Sequence, residues 1–453
     1  MNKVLIANRG EIACRIIRSC RRLDLRTVAV HSEADAQALH VELADEAHPI
    51  GPAPARESYL RPDRLLAAAR ASGADAIHPG YGFLSENAAF ADAVRSSGLV
   101  WIGPSPESIR DMGDKERARE LASRAGVPVL PGSVRFEPGL LDGIEAAAER
   151  VGYPLLVKAS AGGGGIGMRR VDAPEKLREI AAATQSMAQK SFGDGTIYLE
   201  RYVERARHVE IQVFGLGDGN AVHLYERDCS IQRRYQKVIE ESPAPGLPSE
   251  VRARMAGAAA QLCREQRYAG AGTVEFVVDA DTFEFFFLEM NTRIQVEHPV
   301  TEMNTGRDLV AMQIEQAQGR LRHLAQSDIA ASGHAIECRI YAENPARNFM
   351  PSPGRLTRFA LPAETDEVRI DSGFREGDEV TFHYDPMIAK VICHDATRDR
   401  AIDRMIRTLD AIAVEGPATN VRFLRATLGH PEFREGRVFT GFIDRFRSAL
   451  QGA

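Results

Sequence analysis

Hydrophobic residues in the first part of the chain form short continuous runs separated by stretches with helical spacing. The runs "KVLIAN", "TVAVHS", "ADAIHPG" and "LVWIGPS" have the length of strands, and Ile12, Ile16, Ile17 and Cys20 recur every three or four residues after the first run. Strands that alternate with helices are typical of an open parallel α/β sheet, so we predict a Rossmann-like sheet within residues 1–113. The loop "HPGYGFLSEN" follows one of its strands, at the edge where such sheets bind ligands.

The middle of the chain changes to mostly antiparallel patterns. The segment "DKERARELASRAG" predicts a helix that ends near Gly126, and residues 131–203 form a smaller unit with three predicted strands, a helix from about residue 174 and the loop "AGGGGIG". After residue 204, "LGDGN" and "ADT" lie between strand-like runs and predict two hairpins. Short strands and turns follow from about residue 330, and helices close the chain. A chain of 453 residues with this order predicts about three domains of mixed α/β and α+β type.

Polar residues alternate with other residues in the stretch "LEMNTRIQVEHP", residues 288–299. In an extended strand, side chains alternate sides, so one face would carry Glu289, Asn291, Arg293, Gln295 and Glu297. If the preceding hairpin pairs Glu275 with Glu289, their carboxylates lie about 5 Å apart and repel each other unless a cation or a proton intervenes. Together with the Asn291 amide oxygen they suit Mg²⁺ or Mn²⁺. A solvated sheet face with an offset register is the alternative interpretation.

The glycine-rich stretch "KASAGGGGIGM" lies between two predicted strands. Consecutive glycines allow the backbone to approach a ligand closely and to offer N–H groups to an anion. The stretch lacks the pattern of a P-loop and does not open a helix, which argues against a dinucleotide fingerprint. A flap over phosphates, with Lys158 reaching one of them, fits better, and a flexible surface loop is the alternative.

Two further polar groups are less specific. The run "HVEIQV" places three polar side chains on one strand face, those of His208, Glu210 and Gln212. A cation cluster among acids follows at Arg227, Arg233, Arg234 and Lys237. Such clusters bind oxyanions or form salt-bridge networks at the surface, and from the pattern alone we favour the surface networks.

Composition narrows the class of protein. A formal net charge of −6 and a pI near 6.1 lack the basic field of nucleic-acid binders. The six cysteines form no Cys-x-x-Cys pair, so we predict no zinc site and expect free thiols in a reducing compartment, the cytoplasm. No apolar run approaches the roughly 18 residues of a membrane span, and the N-terminus does not resemble a signal peptide.

Eight motifs stand in order along the chain: "IANRGEIA", "HPGYGFLSEN", "GDK", "KASAGGGG", "HVEIQV", "ERDCSIQRR", "EMNTRIQVEHPVTE" and "ECRIYAE". Together they resemble biotin carboxylase, the ATP-grasp component of biotin-dependent carboxylases, over residues 3–446. The resemblance implies ATP-dependent carboxylation of biotin by hydrogencarbonate through carboxyphosphate, as the first half-reaction of acetyl-CoA carboxylase or another acyl-CoA carboxylase. It also implies an N-terminal domain over residues 1–113, an ATP-grasp domain over 114–320 with a glycine-rich lid at 131–203, and a mixed α+β C-terminal domain over 330–447.

The resemblance implies roles for individual residues wherever a motif matches. ATP would contact Lys115, Lys158, Gly164, Gly165, Glu200, Arg201, Val203, His208, Gln232, Tyr235, Glu275 and Glu289. Mg²⁺ or Mn²⁺ would bind to Glu275, Glu289 and Asn291. Hydrogencarbonate would bind to Lys237, Arg293, Gln295, Val296 and Glu297. Glu297 would be the general base, Lys237, Arg293 and Arg339 would complete the catalytic set, and biotin would contact Tyr81 and Arg339.

Two departures from the family pattern affect the nucleotide contacts that the resemblance implies. Ile166 stands in the glycine flap where members usually carry Arg or Lys, so a flap cation is missing. Tyr235 stands where many members carry His, which alters one nucleotide contact. Every acid, base and metal position is present.

Partners follow from the same resemblance. No "MKM" biotinylation motif occurs, so we expect biotin on a separate biotin carboxyl carrier protein, a separate carboxyltransferase subunit and a homodimer, with no nucleic-acid or membrane partner. Three alternatives stay open: the same half-reaction for pyruvate or another non-acyl-CoA substrate, an ATP-grasp ligase that joins a carboxylate to an amine, and a regulatory ATP-binding homologue. The ligase would have no reason to carry "RIQVEH" with Arg339, and the intact Glu297 argues against a regulatory protein.

Overall fold

The first region of the chain is a parallel sheet flanked by helices. A computed structural model describes residues 1–160 and 167–451. The strands are β1 Lys3–Ile6, β2 Arg26–Ser32, β3 Glu46–Gly51, β4 Ala76–His78 and β5 Val100–Trp101, and the helices are α1 Gly10–Arg22, α2 Leu39–Leu43, α3 Pro62–Ser72, α4 Ala88–Ser96 and α5 Pro106–Gly113. Their order is β3-β2-β1-β4-β5 with every pair parallel, so the predicted Rossmann-like sheet is confirmed. The pattern missed β3, an edge strand that contains Pro49.

A small three-stranded sheet follows. Its elements and the helices around it are α6 Lys115–Arg124, α7 Ile144–Val151, β6 Leu155–Ala159, β7 Met168–Val171, α8 Leu177–Phe192 and β8 Ile197–Arg201. The strand order is β7-β6-β8, with antiparallel neighbours. The three predicted strands and the predicted helix are present, whereas α7 was not predicted. Gly164, Gly165 and Ile166 of the glycine flap lie outside the described residues.

The remaining elements build the largest sheet and the C-terminal region. Up to residue 317 they are β9 Ala206–Leu216, β10 Ala221–Arg233, β11 Gln236–Ser242, α9 Ser249–Glu265, β12 Ala269–Asp279, β13 Phe285–Asn291, α10 His298–Thr305 and α11 Leu309–Ala317. After residue 330 they are β14 His334–Tyr341, β15 Glu343–Asn344, β16 Met350–Pro351, β17 Gly354–Arg355, β18 Arg358–Ala360, β19 Val368–Ser372, β20 Glu379–Val380, β21 Met387–Asp395, α12 Arg398–Asp410, β22 Ala413–Glu415, α13 Val421–Gly429, α14 Pro431–Arg434, α15 Phe442–Arg445 and α16 Arg447–Gln451.

One eight-stranded antiparallel sheet runs from the middle of the chain into its C-terminal part. The order is β13-β12-β9-β10-β11-β14-β21-β19. The join is the pairing of β11 with β14, in which Ile239 lies opposite Cys338. The middle and C-terminal regions therefore share one sheet, although their sequence patterns suggested separate units.

The β12–β13 hairpin has the register that the sequence predicted. Glu275 lies directly opposite Glu289, and a register shift follows at Phe276. The single strand predicted over residues 288–299 is wrong, because β13 ends at Asn291 and α10 begins at His298. Instead of continuing the ladder, the Thr292 N–H donates to the Glu86 carboxylate at 3.2 Å. Residues 292–297 thus form an irregular segment, here called the anion segment.

No helix within the two described stretches is long and apolar enough to span a bilayer. All six cysteines are free and buried.

A close backbone contact joins the C-terminal region to the start of α1. A Cβ atom on Gly373 would lie 2.5 Å from the Glu11 nitrogen and 2.5 Å from the Gly10 carbonyl carbon. Gly429, at the end of α13, has no such neighbour within 4 Å. Of these two positions, only residue 373 therefore requires glycine, because a side chain has no room there.

We expect Gly373→Ala to lower the free energy of unfolding by about 1–3 kcal/mol, because backbone atoms cannot move aside as a flexible side chain would. Urea unfolding followed by circular dichroism measures the change. Gly429→Ala is the matched control and should be neutral or slightly stabilising, since alanine favours the helix. Equal stability of both variants would contradict the close contact.

Candidate active site

A cleft of about 1370 Å³ opens between the small sheet, one face of the eight-stranded sheet and the anion segment. The structure brings most of the predicted site residues to its walls, namely Lys115, Lys158, Glu200, Arg201, Val203, His208, Gln232, Tyr235, Lys237, Glu275, Glu289, Asn291, Arg293, Gln295, Val296, Glu297 and Arg339. Among the described residues of the predicted set, Tyr81 alone is not part of this lining.

Lys237 lies at the centre of the charged groups. The turn before it has Arg234 and Tyr235 at positive φ, 50° and 64°, as a tight two-residue hairpin requires, and this turn starts β11 so that Lys237 faces the cleft. The Lys237 ammonium donates to three carboxylates, those of Glu210 at 2.6 Å, Glu275 at 3.0 Å and Glu297 at 2.6 Å. Burial opposes the charged form, but these acids raise the pKa of Lys237 well above its usual value.

The Glu297 carboxylate lies between two cations. One oxygen accepts from Lys237 at 2.6 Å, and the other accepts from the Arg339 guanidinium at 2.9 Å. Burial alone would favour the neutral acid, yet Lys237 and Arg339 lower the pKa of Glu297 well below its usual range. Arg339 is anchored in turn by Glu240 at 2.6 Å. The structure therefore holds Glu297 as a carboxylate, in the ionisation state that a base requires.

The facing acids of the β12–β13 hairpin differ in pKa. Lys237 and His208 outweigh burial and lower the pKa of Glu275 well below its usual range. Burial and the neighbouring Glu275 charge raise the pKa of Glu289. Asn291, two residues on, also faces the cleft, and its Oδ1 accepts from Arg293 at 2.8 Å. Two facing carboxylates and an amide oxygen fit a hard divalent cation, which would remove the repulsion between Glu275 and Glu289.

The wall of the cleft that the small sheet forms carries a second ion-pair cluster. Glu200 on β8 pairs with Lys158 on β6 and with Arg119 of α6, the latter at 2.7 Å. Sequence reasoning missed Arg119, because it is one of several helix arginines with no pattern to distinguish it. A phosphate that reached Lys158 would have to compete with Glu200 for its ammonium.

His208 lies beside Glu275, one of the facing acids of the β12–β13 hairpin. Its Nε2 lies 3.0 Å from a Glu275 oxygen, and the Gln232 amide donates to its Nδ1 at 3.0 Å. Burial disfavours the charged ring, but Glu275 raises the pKa of His208. Arg201 and Tyr235 lie exposed at the rim, with Tyr235 71% accessible to solvent. Tyr235 thus lines the mouth of the cleft and does not reach its buried floor.

Arg293 in the anion segment is held by an acid from the first region. Its Nε donates to Glu86 at 2.9 Å. Sequence analysis singled out the loop that contains Glu86 but not this residue. The parallel sheet therefore contributes to the site through the loop "HPGYGFLSEN", at the strand edge where a ligand was expected.

Arg227 corrects the prediction of a surface salt-bridge network. Its side chain is 0% exposed, and its guanidinium donates to five groups: Glu210, Gln212, Thr273, Gln295 and Thr301. Arg233 is also buried, and it pairs with Glu343. The sequence pattern predicted a surface position because the cluster is rich in charged residues. In the structure, β10 lies between two strands and beneath α10, which supplies Thr301. Gln295 also reaches the facing acids of the β12–β13 hairpin, because its amide donates to Glu275 at 2.7 Å.

Tyr81, which the resemblance predicts to contact biotin, lies outside the lining of this cleft. The Tyr81 hydroxyl donates to Glu11 at the start of α1, and burial together with Glu11 raises the pKa of Tyr81 well above its usual value. Arg339, the other predicted biotin contact, lines the cleft and contacts Glu297.

Comparison with known proteins agrees with this geometry. Family models match residues 1–109 as "Biotin carboxylase, N-terminal domain", 114–324 as "Carbamoyl-phosphate synthase L chain, ATP binding domain" and 337–445 as "Biotin carboxylase C-terminal domain". Biotin carboxylase 1 of Bacillus subtilis is 49% identical over 98% of this chain and 99% of its own length. The solved biotin carboxylase of Campylobacter jejuni superimposes with a TM-score of 0.92 at 42% identity, covering 98% of each chain.

The chain belongs to the biotin carboxylase family, and its fold is that of the ATP-grasp biotin carboxylases. It is also 50% identical, over 99% of its length, to the mitochondrial methylcrotonoyl-CoA carboxylase alpha subunit of Glycine max. The match covers 61% of that subunit, so the chain spans about three fifths of such relatives. The biotin carboxylase domain of Hydrogenobacter thermophilus 2-oxoglutarate carboxylase, solved as a dimer with MgADP and bicarbonate, superimposes with a TM-score of 0.91 at 43% identity, covering 99% of this chain and 98% of its own.

We expect Arg227→Met to lower the free energy of unfolding by about 3–5 kcal/mol, because it leaves the buried Glu210 charge with one partner fewer. Chemical denaturation measures the loss. Arg425→Met is the matched control: its 2.6 Å pair with Asp410 is about half exposed and should contribute less than about 1 kcal/mol. A change at Arg227 no larger than the control would contradict its structural role.

Proposed function

We propose that this protein catalyses the ATP-dependent carboxylation of biotin by hydrogencarbonate, giving carboxybiotin, ADP and phosphate. The observation that carries the proposal is Glu297, held ionised between Lys237 and Arg339 beside the facing pair Glu275 and Glu289. The Hydrogenobacter thermophilus relative, solved with MgADP and bicarbonate, supports the same ligand classes for this chain.

The first step is deprotonation of hydrogencarbonate by Glu297. Lys237 and Arg339 stabilise Glu297 so strongly that its carboxylate is a weak base while both contacts persist. An incoming anion would compete for the same N–H donors, and each donor that turns to the anion makes Glu297 more basic. Arg293 and the Gln295 amide would supply further donors beside it. Binding of hydrogencarbonate would therefore also raise the basicity of Glu297.

The deprotonated anion attacks the γ-phosphorus of ATP and forms carboxyphosphate, with ADP as the leaving group. Lys115 and Lys158 would contact the phosphates, and Glu275, Glu289 and Asn291 would hold a divalent cation. When bound, that cation neutralises negative charge on the phosphoryl group. Lys115 is the first residue of α6. The Asp114 side chain caps the N-terminus of this helix, so the backbone of Lys115 is well anchored.

Carboxyphosphate decomposes to CO₂ and phosphate, and the phosphate accepts the N1 proton of biotin. Arg339 would stabilise the negative ureido oxygen that results, while N1 bonds to CO₂. Glu240 holds the Arg339 Nε at 2.6 Å, and this anchor orients the guanidinium toward the cleft. Tyr81 would contact biotin from the side of Glu11.

The partners of the reaction follow from the family. We propose a biotin carboxyl carrier protein and a carboxyltransferase as partners, a homodimer, and an acyl-CoA carboxylase as the whole enzyme. The methylcrotonoyl-CoA and propionyl-CoA carboxylase subunits among the relatives support the acyl-CoA class. Residues 1–113, 114–320 and 330–447 would be the three domains, and the three family matches support this division. Six free thiols support a reducing compartment, for which we propose the cytoplasm.

We expect phosphate release from MgATP to depend on hydrogencarbonate and to rise when free biotin is added. Glu297→Gln should lower this turnover by about 10²–10⁴-fold, because it removes the base while keeping the shape of the side chain. ATP binding, measured by calorimetry, should survive the substitution. Glu265→Gln, an exposed acid of α9, is the control.

Two results would exclude the proposal. Turnover that needs an amine in place of biotin would indicate a carboxylate–amine ligase. A Glu297→Gln protein as active as the wild type would exclude Glu297 as the base.

We also expect Glu289→Gln to weaken Mn²⁺ binding by at least about tenfold, since it removes a unit charge beside a divalent ion. Electron paramagnetic resonance of free Mn²⁺ measures binding directly, without turnover. Glu284→Gln, an exposed acid on the same hairpin, should bind Mn²⁺ like the wild type. Unchanged affinity in Glu289→Gln would place the metal elsewhere.

A further inference from the structure

Lys390 is a buried ammonium beside the proposed active site. It lies on β21 with its side chain 0% exposed. Across the sheet it is directly opposite Arg339 of β14 on one side and Asp371 of β19 on the other. Directly opposed side chains point to the same face, so Lys390 shares the face of the sheet that carries Arg339.

Three separate parts of the chain meet at its Nζ atom. Lys390 donates to the main-chain carbonyl of Val296 at 2.7 Å, and it lies 3.2 Å from a Glu11 oxygen and 3.9 Å from an Asp371 oxygen. A buried ammonium is costly unless acids compensate it, and Glu11 and Asp371 do so here. The hydrogen bond to Val296 is directed at the residue immediately before Glu297.

The anion segment has no strand ladder to set its path. Its side chains are held by Glu86, Arg227 and Arg339. Its main chain is held by Glu86 at Thr292, by His298 at Gln295 and by Lys390 at Val296, the peptide next to Glu297. Glu297 is therefore held from two adjacent strands: Arg339 on β14 donates to its carboxylate, and Lys390 on β21 donates to the peptide that precedes it. The hydrogen bond from Lys390 limits how far the carboxylate can move when an anion displaces Arg339 or Lys237.

Glu11 extends this arrangement to the biotin side. The Glu11 oxygen nearest Lys390 is also the acceptor of the Tyr81 hydroxyl. One ammonium thus links the peptide before Glu297 to Tyr81, which is proposed to contact biotin, through Glu11. A change in the position of Lys390 would therefore affect both Glu297, the proposed base, and Tyr81, the proposed biotin contact.

We infer that Lys390 is a positioning residue that sets the location of Glu297 through the Val296 carbonyl and of Tyr81 through Glu11. It touches no substrate and transfers no proton. The inference rests on the proposed function, because it concerns the same base and the same biotin contact.

Lys390→Met tests the inference. We expect hydrogencarbonate-dependent phosphate release to fall by about 10–100-fold in kcat, since small displacements of a reacting group have effects of this size. The KM for hydrogencarbonate should rise, and stimulation by biotin should be largely lost. The Kd for ATP should stay within about twofold, because the nucleotide contacts are elsewhere in the cleft. A purely structural role would lower stability and alter ATP binding together.

Lys3→Met is the matched control. Lys3 also donates to one main-chain carbonyl, that of Ser72 at 2.6 Å, and to one carboxylate, that of Glu46 at 2.8 Å. It does not line the cleft. It should change all kinetic constants by less than about twofold.

If Lys390→Met cannot be purified in folded form, Lys390→Gln replaces it, because the amide keeps a donor while losing the charge. The same selective loss, smaller in size, is expected. A folded Lys390 variant with kcat, hydrogencarbonate KM and biotin stimulation equal to the Lys3→Met control would overturn the inference. A wild-type protein without hydrogencarbonate-dependent turnover would instead overturn the proposed function, so the two failures are distinct.

Discussion

The charge balance around Lys237 is the constraint on which the rest of the site depends. Its ammonium contacts three buried carboxylates, and Arg227 and Arg339 each share one of them. The cluster holds five acids, Glu210, Glu240, Glu275, Glu289 and Glu297, against the cations Arg227, Lys237 and Arg339 and the ring of His208, whose pKa is raised by Glu275. Arg293 is nearby, but it has an acid of its own, Glu86. Burial and neighbouring acids raise the pKa of Glu240 to about 7 and also raise that of Glu289. A divalent cation would offset this excess of carboxylates, so the folded site is suited to a metal before any substrate arrives.

The eight-stranded sheet fixes the positions of the charged groups relative to one another. It places Lys237, Arg339 and Lys390 on three successive strands, β11, β14 and β21, although the last two residues come from the C-terminal region. Strands in one sheet hold their side chains at regular separations, which long loops would not do. The anion segment crosses this face and takes its position from side chains of all three strands. A shared sheet therefore lets residues far apart in sequence act on one carboxylate.

Several features of the site were predictable from sequence because they depend on local spacing. The turn "DADT" and the flanking aromatic runs set the β12–β13 register, and that register places Glu275 opposite Glu289. The continuation of β13 was predicted wrongly, since the competing hydrogen bond from Thr292 goes to Glu86, about two hundred residues away. Arg227 was interpreted as a surface residue, because no local pattern shows that five partners from two other strands, the anion segment and a helix surround it.

The sequence by itself determined the parallel first sheet, the hairpins and the order of the family motifs. Each of these follows from periodicity, turn residues or motif spacing within a short window. Only the tertiary structure decided which charges are buried together, that the middle and C-terminal regions share one sheet, and that Arg119, Glu86 and Lys390 support the site. The reason is that a buried charge is stable only with partners, and these partners come from segments that local pattern cannot bring together.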